Sequence, residues 1–320
     1  MTSLSVVIPT LRAGADLDRC LRSVADERYA ELEVVVVDNG SPGVETTDAR
    51  VIRNEQNLGF VGACNQGIDA TTGELVLLLN DDTVVEPGAL HALVAALERR
   101  PRWAACQAKL LLLEDPALLD TAGSFLTATG FLVHRGAFGP ADAFDTSGEI
   151  FAAKGAALVL RRAALAETGT FDPAFFAYFE ETDLCWRLWL AGWEVGYVAE
   201  AHVLHALGAT ASKLPSAFVQ FHSFKNRIRA LLKNLGAVRA TWMVPFHLAL
   251  CVALSASYAV RGRPRLGWAI LRAIGWNVAH FGGTLRERRR VQRTRRVTDR
   301  ALMQRVMRSA PLRTFLFYAR

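Results

Sequence analysis

The stretch LLLNDDTVVEPGAL at residues 77–90 ends an apolar run on Asn80, Asp81 and Asp82. Adjacent like charges repel, so two carboxylates at the end of a buried strand need a reason. A hard divalent cation such as Mg2+ or Mn2+ takes oxygen ligands, commonly one or two carboxylates with substrate phosphates completing the shell. The competing reading is a turn capped by Asp side chains. A second acidic group, Glu180, Glu181 and Asp183, follows an aromatic run in FFAYFEETDLCWRLWLAG. The dipole of a starting helix favours acids there by itself. An apolar surround would also raise a carboxyl pKa and suit it to general-base work. By helical spacing Glu180, Asp183 and Arg187 share a face, and Glu181 points elsewhere. His205, in HVLHALGATAS, follows an expected strand and competes with His202 as a ligand.

These groups need elements to position them. LSVVIP (4–9), ELEVVVVDNGS (31–41) and ELVLLLNDD (74–82) read as buried strands. DLDRCLRSVADE (16–27), GFVGACNQGIDAT (59–71) and PGALHALVAALERR (87–100) read as the helices between and after them. Strand–helix alternation with near-continuous Val and Leu predicts an α/β fold with a Rossmann-like, mostly parallel sheet flanked by helices. Ligands bind such sheets beyond the carboxyl ends of the strands. Polar clusters stand at three of those ends: Pro9-Thr10, Asp38-Asn39-Gly40 and Asn80-Asp81-Asp82. Further on, WAACQAKLLLL (103–113) is strand-like, and KGAALVLRRAAL (154–165) reads as a strand feeding a short helix. Residues 169–198 read as an aromatic loop, a helix and a strand. No fixed-period repeat is present.

The chain has 320 residues, of which 51% are hydrophobic, more than a disordered protein would carry. Its five Cys are odd in number and lack Cys-x-x-Cys spacing, which points to a reduced, cytoplasmic setting without a structural zinc site. MTSLSVVIPT lacks the basic and long apolar regions of a signal peptide and reads as a strand from the outset. The net charge of +6 is local. Residues 285–308 hold ten Arg against Glu287 and Asp299, a net +8 that leaves −2 for the rest.

The order VVIPT, VVVVDNGSPG, NEQNLGFVGACNQGIDATTGELVLLLNDDT, KGAALVLRRAALAETGTFDPAFFAYFEETDLCWRLWLAGW and HVLHALGATAS resembles an inverting family 2 glycosyltransferase of the GT-A fold. Within that family it is most similar to the rhamnosyltransferase-like members that build bacterial cell-surface polysaccharides. The resemblance covers roughly residues 3–235 and rests on five motifs in order. It implies a nucleotide-sugar donor, dTDP-rhamnose or a UDP-hexose, and a saccharide or polyprenyl-linked acceptor. Asp38, Pro9 and Thr10 would line the base pocket. Asn57, Gly59 and Asn65 would belong to a segment closing over the nucleotide. Asn80-Asp81-Asp82 would be an Asp-x-Asp motif with Asn in its first place, which makes Asp82 and His205 the ligands of Mg2+ or Mn2+ and Asp81 a donor contact. Gly155 and Ala156 would shape the sugar pocket. Glu181 stands where relatives place the catalytic base, usually an Asp, and Glu180, Asp183 and Trp186 would support it or contact the acceptor. The rival from another class is a catalytically degenerate nucleotide-sugar-binding or scaffold protein. A nucleotidyltransferase would need an early Gly-rich basic loop, which VVIPTLRAGADL lacks.

A boundary is expected near 215, with a catalytic domain over 1–215 and a helical, basic extension over 216–320. AFVQFHSFKNRIRALLKNL (217–235) is a basic amphipathic helix. TWMVPFHLALCVALSASYAV (241–260) is apolar but holds Pro245 and His247. Trp242, Trp268 and Trp276 beside Arg suit the interface of an anionic membrane. The expectation is peripheral attachment to the inner face of the cell membrane, with a span at 241–260 as the lesser alternative; a soluble helical appendage or homodimer surface is the plain alternative. No nucleic-acid recognition motif accompanies the Arg run.

Overall fold

The computed structural model describes residues 2–41, 43–127, 129–206 and 216–306. Strands β1 (Leu4–Thr10), β2 (Leu32–Asn39), β3 (Arg50–Asn54) and β4 (Leu75–Leu79) run parallel in the spatial order β4-β1-β2-β3. Helices α1 (Ala15–Asp26) and α2 (Gly59–Asp69) make their crossovers. After β5 (Thr83–Val85) and α3 (Ala89–Arg99), β6 (Trp103–Leu112) leads to the short strands β7 (Leu119–Thr121), β8 (Ser124–Leu126), β9 (Leu132–His134) and β10 (Gly148–Glu149). β11 (Ala157–Arg161) then inserts antiparallel between β4 and β6. Helices α4 (Arg162–Thr168) and α5 (Glu180–Leu190) precede the long strand β12 (Glu194–His205), which pairs parallel with β6. The parallel half expected from the Val and Leu runs is present, and β11 makes the complete ten-stranded sheet mixed.

Alternation along each strand feeds two cores. Val7, Val35, Val37, Val76 and Leu78 face α2 and α5; Val6, Ile8, Val36, Leu75 and Leu77 face α1 and α3. A sheet buried on both faces explains why these strands read as continuous apolar runs. Close helix packing sets one glycine: a Cβ on Gly67 of α2 would fall 2.2 Å from Cγ1 of Val7.

The C-terminal part comprises α6 (Ser216–Asn234), α7 (Ala237–Val260), α8 (Pro264–Ala279), α9 (Phe281–Thr294) and α10 (Asp299–Val306). Helices α6, α7, α9 and α10 share the core of the sheet rather than hanging from it, and α8 packs in a separate cluster against α6 and α7. Ala230, Leu231, Met243, Val291 and Leu302 belong to the same apolar cluster as Phe151, Trp186 and Tyr197. The Arg run is mostly helical and partly used within the protein. Arg288 donates to the carbonyls of Leu232 and Leu235, and Gln292 to that of Lys233, so α9 satisfies the open carbonyl end of α6. Arg295 pairs with Asp299, Arg296 with Glu167, and Arg305 with Glu149 and Glu194. Four Arg of the run, Arg288, Arg295, Arg296 and Arg305, thus have partners within the protein.

Buried ion pairs fasten α6 to the α/β half. Asp172 accepts from Arg229 Nε at 2.9 Å and Lys233 Nζ at 2.6 Å. Asp183 accepts from Arg187 Nε at 3.0 Å and Asn234 Nδ2 at 2.9 Å, with Lys233 Nζ also 2.9 Å away. Burial pushes the Asp172 carboxyl up, but Lys233 and Arg229 outweigh it and hold its pKa well below the usual value. A depressed carboxylate pKa contributes stability that is present above the unfolded value of about 3.9 and is lost as pH falls from there. Asp172→Asn leaves buried cations without their counter-charge and is expected to cost about 3–5 kcal/mol at neutral pH. Urea unfolding across pH checks this. The variant should also lose part of the wild type's decline in stability below about pH 4.

Candidate functional site

The site forms where β1, β4, β7 and β12 end. The antiparallel pairing of β5 with β12 sets Thr83 opposite His205, and the Ala206 amide donates to the Asp82 carbonyl at 3.0 Å. That register brings Asp82 Oδ1 to 3.3 Å from His205 Nε2. His205 is nearly buried, and its Nδ1 lies 2.8 Å from Asp120 Oδ2. A carboxylate only accepts, so Nδ1 carries the proton in that bond and Nε2 is turned toward Asp82. Asn80 Nδ2 lies 3.4 Å from the same nitrogen. His202, the competing candidate, instead pairs with Glu86 at 3.2 Å and remains partly exposed.

The environment divides the two adjacent carboxylates. Burial raises the Asp81 pKa, and its Oδ2 accepts a 2.5 Å hydrogen bond from Thr10 Oγ1. Burial also disfavours ionised Asp82, but the bond to His205 and the imidazole's charge outweigh it, so its pKa is lowered. One carboxyl is thus kept toward its neutral form and the other ionised, which relieves the repulsion between neighbours.

Asp120 continues the arrangement. It accepts from Lys154 Nζ at 2.7 Å on both oxygens. Lys154 is anchored by its amide, which donates to Gln107 Oε1 at 2.7 Å. The next amide, that of Gly155, donates to Glu181 Oε1 at 3.2 Å. A continuous path therefore joins Asp82 to Glu181 through His205, Asp120, Lys154 and Gly155. Asp120 and Lys154 are absent from the sequence-derived set. Their signal was an acid inside the apolar run LLDTAG (118–123) and a lone Lys opening the apolar run KGAALVL (154–160).

Glu181 lies in the first turn of α5, beside Glu180. Burial raises the pKa of each, and the charge of Glu181 raises Glu180 further. Glu180 Oε2 is buried with no hydrogen-bond partner, so the neutral acid fits there. The entry to α5 is strained: Tyr178 and Phe179 both adopt left-handed backbone, with φ of 71° and 72°. Such residues cost about 1–3 kcal/mol each and persist where the surroundings over-determine them. Here α6 does so, since Asn226 Nδ2 donates to the carbonyls of Ala177 and Tyr178 at 2.8 and 2.6 Å.

The remaining expected residues divide. Gly155 and Ala156 line the same edge, and the Asn80 amide donates to the Ala156 carbonyl at 3.1 Å. Gly59 has φ of 77°, and a Cβ there would lie 2.4 Å from the Phe176 carbonyl oxygen. Pro9 precedes Thr10 in β1. Asp38 organises its own loop by accepting from the amides of Ser41 and Val44. Asn57 Oδ1 accepts from the Gly59 amide and from Asn39 Nδ2. Asn65 is not brought to the Asp82 cluster: both ends of its amide bond to the Phe171 backbone at 3.0 Å. Asp183 and Trp186 are fully buried, the first in ion pairs and the second against Phe151, so they support α5 and do not face a cleft.

The donor chemistry of Asp82 and His205 fits a divalent cation only in part. One carboxylate oxygen and one imidazole suit Mn2+ or Mg2+ when water and phosphate oxygens complete the shell. Among the described residues no group of three or more His, Cys, Asp or Glu converges as a metal site, so the protein alone makes no closed cage. The Asp120–His205 bond is the kind of outer contact that orients an imidazole for a metal.

Comparison with known proteins identifies the family and the fold. The sequence profile of glycosyl transferase family 2 matches residues 5–110, and that of glycosyl transferase family group 2 matches residues 75–254. A Mycobacterium tuberculosis N-acetylglucosaminyl-diphospho-decaprenol L-rhamnosyltransferase is 29% identical over 280 residues, covering 77% of this chain and 91% of the relative. The structure of GalNAc-T7 with UDP, GalNAc and Mn2+ superposes with a TM-score of 0.58 at 18% identity, over 72% of this chain and 48% of that one. This chain thus spans about half the length of that neighbour. S. aureus TarS 1–349 in complex with UDP-GlcNAc gives a TM-score of 0.56 at 14% identity, over 85% of this chain and 81% of that one. The fold is GT-A.

Asp120→Asn keeps the side chain's size but lets an amide compete for His205 Nδ1. It is expected to weaken Mn2+ binding in the presence of nucleoside diphosphate by about 10–100-fold. Calorimetry measures this; unchanged affinity would mean that the imidazole's orientation does not depend on Asp120.

Proposed function

Because this chain belongs to the family 2 glycosyltransferases, we propose that it transfers a sugar from a nucleotide-sugar donor to a saccharide acceptor on a polyprenyl diphosphate, with inversion, in cell-surface polysaccharide synthesis. The observation that carries the reading is the bonded path from the Asp82–His205 pair to Glu181. It supports a site with a diphosphate end and a proton-accepting end, held in one rigid frame. The activity of the Mycobacterium tuberculosis relative favours a rhamnosyl donor such as dTDP-rhamnose, with UDP-hexoses as the other candidates. A lipid-linked acceptor favours a position at the inner face of the cell membrane.

The residues then take distinct roles. Asp82 and His205 would hold Mg2+ or Mn2+, which would supply positive charge to offset that of the departing diphosphate. Asp81, Asn80 and Thr10 border the donor, with Pro9 and Asp38 toward the base and Asn57 and Gly59 at the closing segment. Lys154 lies between the two ends of the site, with part of its side chain exposed. Its cation, fixed by Asp120, is placed to draw an anionic donor or acceptor group. Glu181 takes the proton of the acceptor hydroxyl as that oxygen bonds to C1 of the sugar. The C1–O bond to the diphosphate breaks with its electron pair leaving on the nucleotide. A single displacement from the opposite face inverts C1.

A base must be ionised to accept the proton. Burial raises the Glu181 pKa, so the acid limb of the rate profile is expected above the ordinary glutamate value of about 4.3. Glu181→Gln is expected to lower turnover by about 10²–10⁴-fold while donor affinity changes little. Radiolabelled sugar transfer and donor calorimetry on the same preparation check both. Normal turnover in this variant would remove Glu181 from the mechanism. Donor binding with no transfer by wild type, tried with either cation, would instead favour a binding protein.

A further inference from the structure

Helix α7 has two apolar faces with different fates. Met243, Val244, His247, Cys251, Ser255 and Tyr258 are buried. The opposite face leaves Trp242, Phe246 and Val252 about half exposed, and α8 similarly exposes Trp268, Leu271 and Val278. Monomeric soluble proteins rarely leave large apolar side chains together in this way. The charge around them is one-sided. No acidic residue occurs between Glu200 and Glu287, whereas Arg239, Arg261, Arg263, Arg265 and Arg272 lie on or between the two helices.

We propose that α7 and α8 lie flat in the headgroup layer of an anionic bilayer, with Trp242, Phe246, Trp268 and their exposed apolar neighbours in lipid and the arginines on its phosphates. Amphipathic helices with aromatics on one side and Arg on the flanks bind such surfaces by apolar burial plus attraction to anionic lipid. The fold decides between lying on the membrane and crossing it. α7 is long and apolar enough to cross, but a third of its most apolar window is buried inside the protein. His247 Nδ1 lies 2.8 Å from the Thr129 carbonyl, and its ring packs 5.0 Å from that of Phe131. Ser255 Oγ donates to the Gly267 carbonyl at 2.9 Å, where a Cβ on Gly267 would come within 2.5 Å of the Ser255 carbonyl oxygen. Crossing the bilayer would tear α7 from these contacts and place a polar imidazole in hydrocarbon. The same platform reaches the site: α8 holds α6 through Asn277 Nδ2 and the Lys225 carbonyl, and α6 holds the strained entry to α5 through Asn226.

The inference rests on the lipid-linked acceptor reading for its purpose, but its test uses neither donor, acceptor nor cation. The full chain is sedimented with vesicles of phosphatidylethanolamine and phosphatidylglycerol, and with vesicles of phosphatidylcholine alone. Binding is expected to the first and to fall with added salt, and alkaline carbonate should release the protein. Trp242→Ser/Phe246→Ser/Trp268→Ser should lower partitioning by at least about tenfold, the transfer energy of one or two aromatic side chains, with the circular dichroism and thermal unfolding of wild type. Arg239→Glu/Arg265→Glu keeps the apolar face and should lose the preference for anionic vesicles, which covers a triple variant that fails to fold. Equal binding to both vesicle types, unchanged binding by the variants, or resistance to carbonate would each overturn the proposal. So would lipid-free dimerisation abolished by the triple variant, which would assign the face to a second copy. Vesicle binding without sugar transfer would count against the enzymatic reading alone.

Discussion

The bond from Asp120 to His205 is the contact on which the rest of the site depends. It fixes one imidazole nitrogen as a donor and so determines what the other can do. Through the same carboxylate it immobilises Lys154, whose neighbour Gly155 meets Glu181. Four separate chain segments thus hold one frame, at sequence separations of 34, 85 and 26 residues along the bonded path. A buried carboxylate between two donors is costly to desolvate and only tolerable when both donors are present. Burial pushes the Asp120 pKa up, while His205 and Lys154 outweigh it and keep the group ionised. The arrangement is therefore cooperative: removing one donor leaves a charge that the surrounding apolar strands cannot accommodate.

A similar division of charge operates at the other end. Glu180 and Glu181 stand at a helix start, where the dipole favours anions, yet the burial of Glu180 opposes its ionisation. Glu181 retains a backbone donor and partial exposure, so the pair is set to hold its charge on Glu181. The strain at Tyr178 and Phe179 aims this helix start, and it is restrained by amide bonds from α6. The C-terminal helices therefore take part in the geometry of the site, and the ion pairs of Asp172 and Asp183 are what hold α6 in place.

Much of this was legible in the sequence. The strand ends at Thr10, Asp38 and Asp82 follow from apolar runs stopping at polar residues, and α/β alternation follows from strand and helix periods. The motif order supplied Glu181 and His205. Asp120 was hidden because its partners are 34 and 85 residues away, and local pattern carries no information about such a meeting. β11 was read as a strand, but its antiparallel insertion depends on sheet register that no single segment encodes. Asn65 looked like a ligand-facing amide and is instead bonded at both ends to Phe171, because a polar residue on a helix face serves the backbone across from it as readily as a substrate.

The Arg run shows why a charge block is ambiguous by composition. An arginine carries five donors in a planar fork and suits open carbonyls and carboxylates equally. Arg288 and Arg295 close the end of α6 by donating to the carbonyls of Leu232 and Asn234, while Arg296 and Arg305 reach acids on the α/β half. Those uses fix α9 and α10 against the core and make part of the run internal. The asymmetry of the remaining surface then stands out more clearly. The acid-free interval between Glu200 and Glu287 spans α6, α7 and α8; Arg229 of α6 pairs with Asp172, while Arg239 and Arg272 stand beside the rings of Trp242 and Phe221. Where α9 uses charge to hold the protein together, α7 and α8 combine charge with exposed Trp and Phe. Only the second combination suits a lipid surface, since attraction to anionic headgroups and burial of aromatic side chains reinforce each other there.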